Sequence, residues 1–472
     1  MIVKWTMSRP AVPVQSWYSW SWTPIDVQAT EGGEDSTTER LLGWPQSTIA
    51  VLREGFKKKL GRQVGWLEPH GDDSLPPASS PSPIAVAAHV FKRGVGYAVN
   101  KATSRLDKLQ GAYSITILGK DSDPLSRDPA VWTIVDGEVA RLWPQVFDFA
   151  PCLTLSLSEH VKTLPTVATI LAAWTQRGKP PHWQIVGGGI LADVAGFAAA
   201  IAGCEMDLIP TTLLAMVDAC VGGKTAVNFA PYGKNQIGSW HFPSAVKVWS
   251  PWLSTLPQRE LTAGAMEGLK HCFLLGDQDL AERLAYAMSH VRSGGSWESL
   301  NALLPALIGF KAEVVARDPA ELGERAILNL GHTLGHALEA LSQENTKPDA
   351  TLLHGEAVGC GLVYALLLST KVSGLSQEFC DRMIGLVRSA GGLMPYSLLS
   401  HRLGVSDLKD PHVFSRLQDF MGFDKKNTTG KKPRWVLLGA LGVVAKDQGA
   451  WTWEVDAAVL HETWASFLSL LT

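Results

Sequence analysis

Five side chains in the second half of this chain are spaced for metal chemistry. Glu267 and Lys270, in MEGLKH, stand three apart and share one face of any helix they occupy. His332 and His336, in NLGHTLGH, stand four apart and also share a face, and His354 follows in LHGEAV. A carboxylate and imidazoles with one coordination position left open form the donor set of a catalytic divalent ion, most simply zinc. On spacing alone, His332 and His336 pair as ligands, as in H-E-x-x-H helices. The bland alternative is a set of unconnected helix histidines.

A second stretch upstream changes that balance. Ile185 to Asn235 contains IVGGGILADVAGF, IPTTLLAMVDACVGGKTAVNF and GKN. Ile185 and Val186 read as the end of a buried strand. Gly187, Gly188 and Gly189 follow, and then an apolar helix pattern of Ile190, Leu191, Val194 and Phe197. A strand, a glycine turn and a helix start suit a dinucleotide pyrophosphate, because backbone without Cβ can approach closely and a helix N-terminus favours negative charge. The motif is GGGxxxD rather than G-x-G-x-x-G, and a lone GGG is otherwise a tight turn. Asp218, Gly222, Gly223, Lys224, Lys234 and Asn235 then place an acid, two ammonium groups and an amide around another glycine turn. That set suits a phosphorylated, hydroxyl-rich substrate.

The elements that must position these residues come in two styles. From Tyr113, strand candidates SITIL, Val131–Val135 and Leu153–Leu157 alternate with helix patterns. Thr166–Thr175 is one such helix, with Val167, Ile170, Leu171 and Trp174 inward. This alternation predicts a parallel, doubly wound sheet. Asp136 closes the second strand, where an acid can meet a ribose hydroxyl. Val246–Trp249 is a further strand and Leu253–Pro257 a turn. From Arg259 the pattern changes to long helices with short loops, and only Arg434–Leu438 (RWVLL) reads as a late strand.

The chain has 472 residues, 46% of them hydrophobic, and a formal net charge of −3, so it can bury a large core and carries no charge bias toward nucleic acid or acidic membranes. No apolar run reaches the roughly 18–20 residues needed to span a bilayer, and no secretory signal is visible. The six cysteines are scattered without C-x-x-C, which predicts buried, reduced thiols in a cytoplasmic protein. The 18 tryptophans suggest no function. Residues 1–110 carry SWYSWSW (Trp17, Trp20, Trp22), a helix candidate Thr38–Leu60 with the basic run Phe56–Arg62, and a Pro/Ser/Asp-rich linker over Glu68–Pro83. They read as an appendage without legible chemistry.

From about Tyr113 to Gly442, these ordered motifs resemble the 3-dehydroquinate synthase family, within the wider sugar-phosphate cyclases. The resemblance implies an N-terminal α/β nucleotide-binding domain with a Rossmann-like parallel sheet (111–257) and an all-α metal-binding C-terminal domain (258–472). It implies NAD and a divalent metal (Zn or Co) as cofactors, a homodimer, and neither nucleic acid nor membrane as partner. The metal ligands become Glu267, His332 and His354, which frees His336 for substrate phosphate. Nucleotide contacts fall on Asp136, Glu159, Lys162, Gly187, Gly188, Gly189, Asp193, Thr211, Thr212, Lys224, Lys234 and Thr255. Lys224, Asn235, Asn329 and His336 should hold the phosphate, with Lys425 or Lys426 from DKKN. Asp218 and Lys270 should meet substrate hydroxyls, and Lys311 and Arg325 the substrate carboxylate.

The implied activity converts 3-deoxy-D-arabino-heptulosonate 7-phosphate to 3-dehydroquinate and phosphate, in the shikimate pathway, with NAD reduced only transiently. Another sugar-phosphate cyclase, a metal-dependent alcohol dehydrogenase on a related fold and a non-enzymatic binder remain alternatives. Several positions depart from the family pattern. Asp136-Gly137-Glu138 stands where Asp-x-Asn is usual, Ser158 replaces a glycine, and Ala192 replaces the glycine of GGGxxGD. AAIAGCEMDL (Ala199–Leu208) is about two residues short and lacks an arginine that relatives send to the phosphate across a subunit interface.

Overall fold

The computed structural model describes residues 3–6, 113–149, 151–229, 233–345, 351–422 and 433–472. The tryptophan segment, the Thr38–Leu60 helix candidate, the proline-rich linker, Lys425 and Lys426 all lie outside these described residues.

The first half is built on a seven-stranded sheet. Its strands are β1 (Val3–Thr6), β2 (Ser114–Ile117), β3 (Val131–Asp136), β4 (Leu153–Leu155), β5 (His182–Gly187), β6 (Glu205–Pro210) and β9 (Ala245–Val248), in the order β1-β2-β9-β6-β5-β3-β4. Six of them pair in parallel, as the alternation of strand and helix requires, and β1 adds antiparallel to β2. Within the stretch read as an appendage, Val3–Thr6 completes the sheet edge, with Val3 opposite Ile117 and Thr6 opposite Ser114.

Strand β5 is buried on both faces from Trp183 to Gly187, the near-continuous apolar run of a central parallel strand. Besides the single turn Pro144–Phe147, three helices lie between strands: α1 (Gly137–Leu142), α2 (Leu164–Gln176) and α3 (Gly189–Ala202). Val167, Ile170, Leu171 and Trp174 of α2 all face inward. Only Gly203 and Cys204 separate α3 from β6, so the segment lacking the arginine is a tight reversal with no loop to carry one. The hairpin β7 (Lys224–Phe229) and β8 (Gly233–Trp240) leaves the sheet and packs on α3.

Chain order sets the place of the site. From β3 the chain steps outward to β4, and from β5 it steps the other way to β6 and β9. The switch point lies between β3 and β5, and Asp136 and Gly187 stand at their carboxyl ends, where open α/β sheets hold ligands.

The second half is helical: α4 (Gln258–Leu275), α5 (Gln278–Arg292), α6 (Leu304–Arg317), α7 (His332–Gln343), α8 (His354–Val372), α9 (Gln377–Ser389), α10 (Tyr396–Leu403), α11 (Pro411–Gly422) and α12 (Ala457–Ser469). Helix α8 is apolar enough by composition to cross a membrane, as is the stretch 297–317, so the expectation that no run is long enough needs correcting. Most of α8's apolar window is buried within the fold, because α4, α7, α9 and α12 surround it, and a helix packed on all sides is apolar all round.

The late strand is also corrected. Arg434–Trp435 pairs with Trp453–Glu454, and Leu438–Ala440 pairs with Val443–Val444 in a separate ladder. Val436 and Leu437 between them are buried, so the run fills core space rather than continuing one ladder.

Two close approaches fix the helices that matter. A Cβ on Gly355 would lie 1.9 Å from the carbonyl oxygen of Ala263 on α4, and one on Gly361 would lie 1.9 Å from that of Gly331, which precedes α7. Backbone therefore meets backbone where α8 crosses α4 and the start of α7. Gly355→Ala forces these helices apart and should cost about 1–3 kcal/mol by overpacking. The expected result is a lower melting temperature, with Gly385→Ala, which meets nothing within 4 Å, as the control; equal melting temperatures would refute this packing.

Candidate active site

The glycine loop closes over the switch point. A Cβ on Gly187 would meet Leu191 and come within 3.3 Å of Asp136 Cβ, one on Gly188 would meet Thr212 at 3.2 Å, and one on Gly189 would meet Ala219 at 3.1 Å. Gly187, Gly188, Asp136, Thr212 and Ala219 thus line one crevice, and Gly189 opens α3. Asp136 Oδ1 caps α1 by accepting from Glu138 N at 2.9 Å, while burial raises its pKa. The amide of Thr211 donates to Gly187 O at 3.0 Å. Thr212 Oγ1 accepts from Ala215 N at 3.1 Å.

Beside the loop, Lys162 Nζ reaches Asp193 Oδ2 at 2.5 Å and Asn235 Oδ1 at 2.6 Å. Burial raises the Asp193 pKa against the pull of Lys162. Glu159 Oε1 accepts from Asn228 Nδ2 at 2.8 Å. Thr255 sits among Trp143, Trp249 and Trp252, which pack edge to face; its hydroxyl accepts from Trp143 Nε1 and donates to Trp252 O. Much of the tryptophan excess is core of this kind: Trp132, Trp183, Trp435 and Trp464 are buried as well.

Across the crevice, one ligand atom each from Glu267, His332 and His354 lie within 4.8 Å of one another. Glu267 comes from mid-α4, and the two histidines are the first residues of α7 and α8. His354 Nε2 is 3.2 Å and His332 Nε2 3.4 Å from Glu267 Oε1. Glu267 is fully buried, and neither carboxylate oxygen has a hydrogen-bond partner of proper geometry, although Lys270 Nζ forms an ion pair with it. Burial, and after it Lys270, push His332 well below its ordinary pKa, so it stays the neutral imidazole a metal needs. Orphaned carboxylate oxygens beside a neutral imidazole fit a divalent cation. His336 stands beside both histidines, 5.3 Å from His332 and 6.0 Å from His354 between ring centroids.

Asp218 joins the two clusters, since Ala219 touches the glycine loop and Asp218 faces α4 and α6. Lys311 Nζ is 2.8 Å and Lys270 Nζ 3.5 Å from Asp218 Oδ1. Burial pushes Asp218 up, but Lys311 and then Lys270 overcome it and hold the carboxyl well below the usual range. Arg325 is buried, donates to Pro319 O and Gly222 O, and lies 5.0 Å over the Trp240 ring. Lys224 pairs with Glu321, which also accepts from Asn329 Nδ2 at 3.4 Å.

Three acids and bases escaped the sequence reading. Glu321 sits between Lys224 and Asn329. His271, beside Asp218 at 3.6 Å, is fully buried with neither ring nitrogen hydrogen-bonded. Glu339 accepts from His354 Nδ1 at 2.9 Å and from Lys234 Nζ at 3.0 Å. Lys234 therefore stands between Glu339 of the helical half and Glu159 of the sheet half, 3.7 Å away. Spacing offered a signal for Glu339 alone, which lies three residues after His336 on the same face of α7.

Fold and site together define a metal-assisted enzyme built on an α/β sheet and a helical bundle. Residues 152–263 match the model of the 3-dehydroquinate synthase N-terminal domain, and 264–427 that of the C-terminal domain. The chain is 40% identical over 308 residues to a 3-dehydroquinate synthase of Teredinibacter turnerae, covering 64% of this chain and 78% of that protein. It is 35% identical over 356 residues to one of Acidithiobacillus ferrooxidans, covering 73% and 90%. A crystal structure of 2-deoxy-scyllo-inosose synthase with carbaglucose-6-phosphate, NAD+ and Co2+ shares the fold, with a TM-score of 0.62 at 24% identity over 75% of this chain and 97% of that one. The chain belongs to the 3-dehydroquinate synthase family.

The cluster makes metal uptake a proton exchange. Burial lowers the His354 pKa, but Glu339 and Glu267 outweigh it and raise it to about 10 in the metal-free chain. The imidazole thus carries a proton at neutral pH that a cation must displace, and apparent affinity should rise with pH up to that pKa. Zn2+ binding at pH 7.5 should release about one proton, read calorimetrically from heats in buffers of different ionisation enthalpy; heats independent of buffer would refute it.

Proposed function

We propose that this chain is a 3-dehydroquinate synthase, converting 3-deoxy-D-arabino-heptulosonate 7-phosphate to 3-dehydroquinate and phosphate in the shikimate pathway. One observation carries the reading: a Glu267–His332–His354 cluster around a buried carboxylate with unsatisfied oxygens, joined through Asp218 to a glycine loop at the sheet's switch point. When bound, NAD+ at the glycine loop supplies a recyclable hydride acceptor, and Zn2+ or Co2+ on Glu267, His332 and His354 supplies a Lewis acid.

The chain's own residues do the rest. Asp218, held ionised by Lys311 and Lys270, accepts a hydrogen bond from a substrate hydroxyl beside the metal cluster. Lys270 keeps the Glu267 charge compensated and orients the same hydroxyl. Lys224, Asn329 and His336 grip the phosphate, orient it as a leaving group and carry its charge; Glu321 gives way when the phosphate arrives. A phosphate so held can itself take the proton beside the leaving group, so no strong side-chain base is needed. Arg325 turns its fork from the Pro319 and Gly222 carbonyls to the substrate carboxylate. A cyclase whose substrate lacks a carboxylate gains nothing from Arg325 and Lys311, which favours the heptulosonate over other sugar phosphates.

Five of the six described cysteines are buried, which fits a reducing compartment, and we place the enzyme in the cytoplasm as a homodimer. We divide it at 257/258, where sheet gives way to helices.

Phosphate release from the heptulosonate, with NAD+ and Zn2+ and with NADH absorbance recorded, tests the activity. Zinc-dependent release without NADH accumulation, abolished by His332→Ala, is the expected result. A folded, zinc-loaded protein that releases no phosphate sinks the reading, and net NADH formation would mark a dehydrogenase instead. Arg325→Gln removes a charged hydrogen bond of about 1.5–3 kcal/mol, so kcat/KM should fall about 10- to 150-fold. An unchanged kcat/KM would take the carboxylate away from Arg325.

A further inference from the structure

Glu339 spends both carboxylate oxygens on groups from different halves of the molecule, one on His354 Nδ1 of α8 and the other on Lys234 Nζ of the β7–β8 hairpin. Its side chain is 7% exposed. Next to Lys234, Asn235 has a φ of 52°, left-handed backbone that asparagine tolerates better than most residues. The two neighbouring side chains take different partners. Lys234 meets the metal-side helix, and Asn235 accepts from Lys162, the lysine that pairs with Asp193 on the glycine-loop helix. The hairpin is also tied to the sheet side by Asn228, which accepts from Asn235 N at 2.9 Å and donates to Glu159.

A continuous polar path therefore runs from the helix opened by the glycine loop, through Asp193, Lys162, Asn235 and Lys234, to Glu339 and His354. Its last step has a defined chemical effect. A carboxylate on Nδ1 keeps the proton there, so the nitrogen that a metal takes is Nε2, which faces Glu267. Its earlier steps run through the β7–β8 hairpin, which packs on α3, the helix that the glycine loop opens.

We propose that Glu339 is a positioning residue for His354 and that Lys234 makes this positioning depend on the nucleotide, so that nucleotide and metal bind cooperatively. This rests on the NAD and metal reading above. Ordering the hairpin against a bound dinucleotide fixes Lys234, Lys234 fixes Glu339, and Glu339 fixes the ring of His354. The linkage is reciprocal: metal must tighten nucleotide by the factor that nucleotide tightens metal.

The test titrates Co2+ into the metal-stripped full chain, following the visible absorption of the bound ion, with and without saturating NAD+. Wild type, Lys234→Met, Lys234→Arg and Glu339→Gln are compared, after melting curves show each to be folded and NAD+ saturation is measured for each. NAD+ should tighten Co2+ binding to wild type by about 5- to 150-fold. Glu339→Gln should weaken Co2+ binding by about 10- to 100-fold even without nucleotide. Lys234→Met should abolish the NAD+ effect and Lys234→Arg restore it. A wild-type Co2+ affinity indifferent to NAD+, or a Lys234→Met variant keeping the full effect, overturns the coupling and leaves the metal site standing. A wild type that takes up no Co2+ overturns the metal reading, and the coupling with it.

Discussion

The structure depends on one buried charge. Glu267 is fully enclosed mid-way along α4, and an ionised carboxylate removed from water survives only if opposite charge comes with it. Lys270 supplies one positive group from the same helix face, and the two histidine rings converge from helix starts that belong to no common element. Lys270 in turn needs Asp218, Asp218 needs Lys311, and the glycine loop is packed against the residue after Asp218. Each group is tolerable where it is because the next is present, so the polar site is assembled as a unit across the sheet and the bundle.

The sheet half was legible because its pattern is local. Each strand is a short apolar run ended by glycine or an acid, and each helix shows its buried stripe within four turns, as Val167, Ile170, Leu171 and Trp174 do. The helical half was legible where two polar side chains suited to chemistry share a helix face, in MEGLKH and NLGHTLGH. RWVLL misled because burial on every side looks the same in a strand and in a core-filling loop, and neither periodicity nor propensity separates them. The same ambiguity hid the membrane-like composition of α8, which a count of uninterrupted apolar residues passes over.

Glu339, Glu321 and His271 were hidden for another reason. Their meaning lies in partners far away in the chain: Glu339 acquires its role only when Lys234, 105 residues earlier, is folded against it. Glu321 looks like a surface acid until Lys224 and Asn329 are brought to either side. A lone buried histidine carries no mark in the sequence that tells it from any other. Motif knowledge supplied ligands and cations, since these recur at fixed spacing; it said nothing of the groups that hold them, whose positions are set by tertiary contact.

The bare main-chain contacts at Gly355 and Gly361 bear on how such an enzyme changes over evolutionary time. Helix crossings held by interlocking side chains shift whenever a neighbour mutates, whereas crossings in which peptide groups touch are largely indifferent to the surrounding residues. The relative placement of α4, α7 and α8 is inherited as backbone, and the demand falls on a few glycines instead of on a large cooperative core. The cations proposed to meet the substrate carboxylate sit on other elements, Arg325 before α7 and Lys311 on α6. A lineage can therefore exchange Arg325 while the metal frame stays where it is, whereas Lys311 is tied to Asp218 and through it to Lys270, so drift in specificity falls on the arginine.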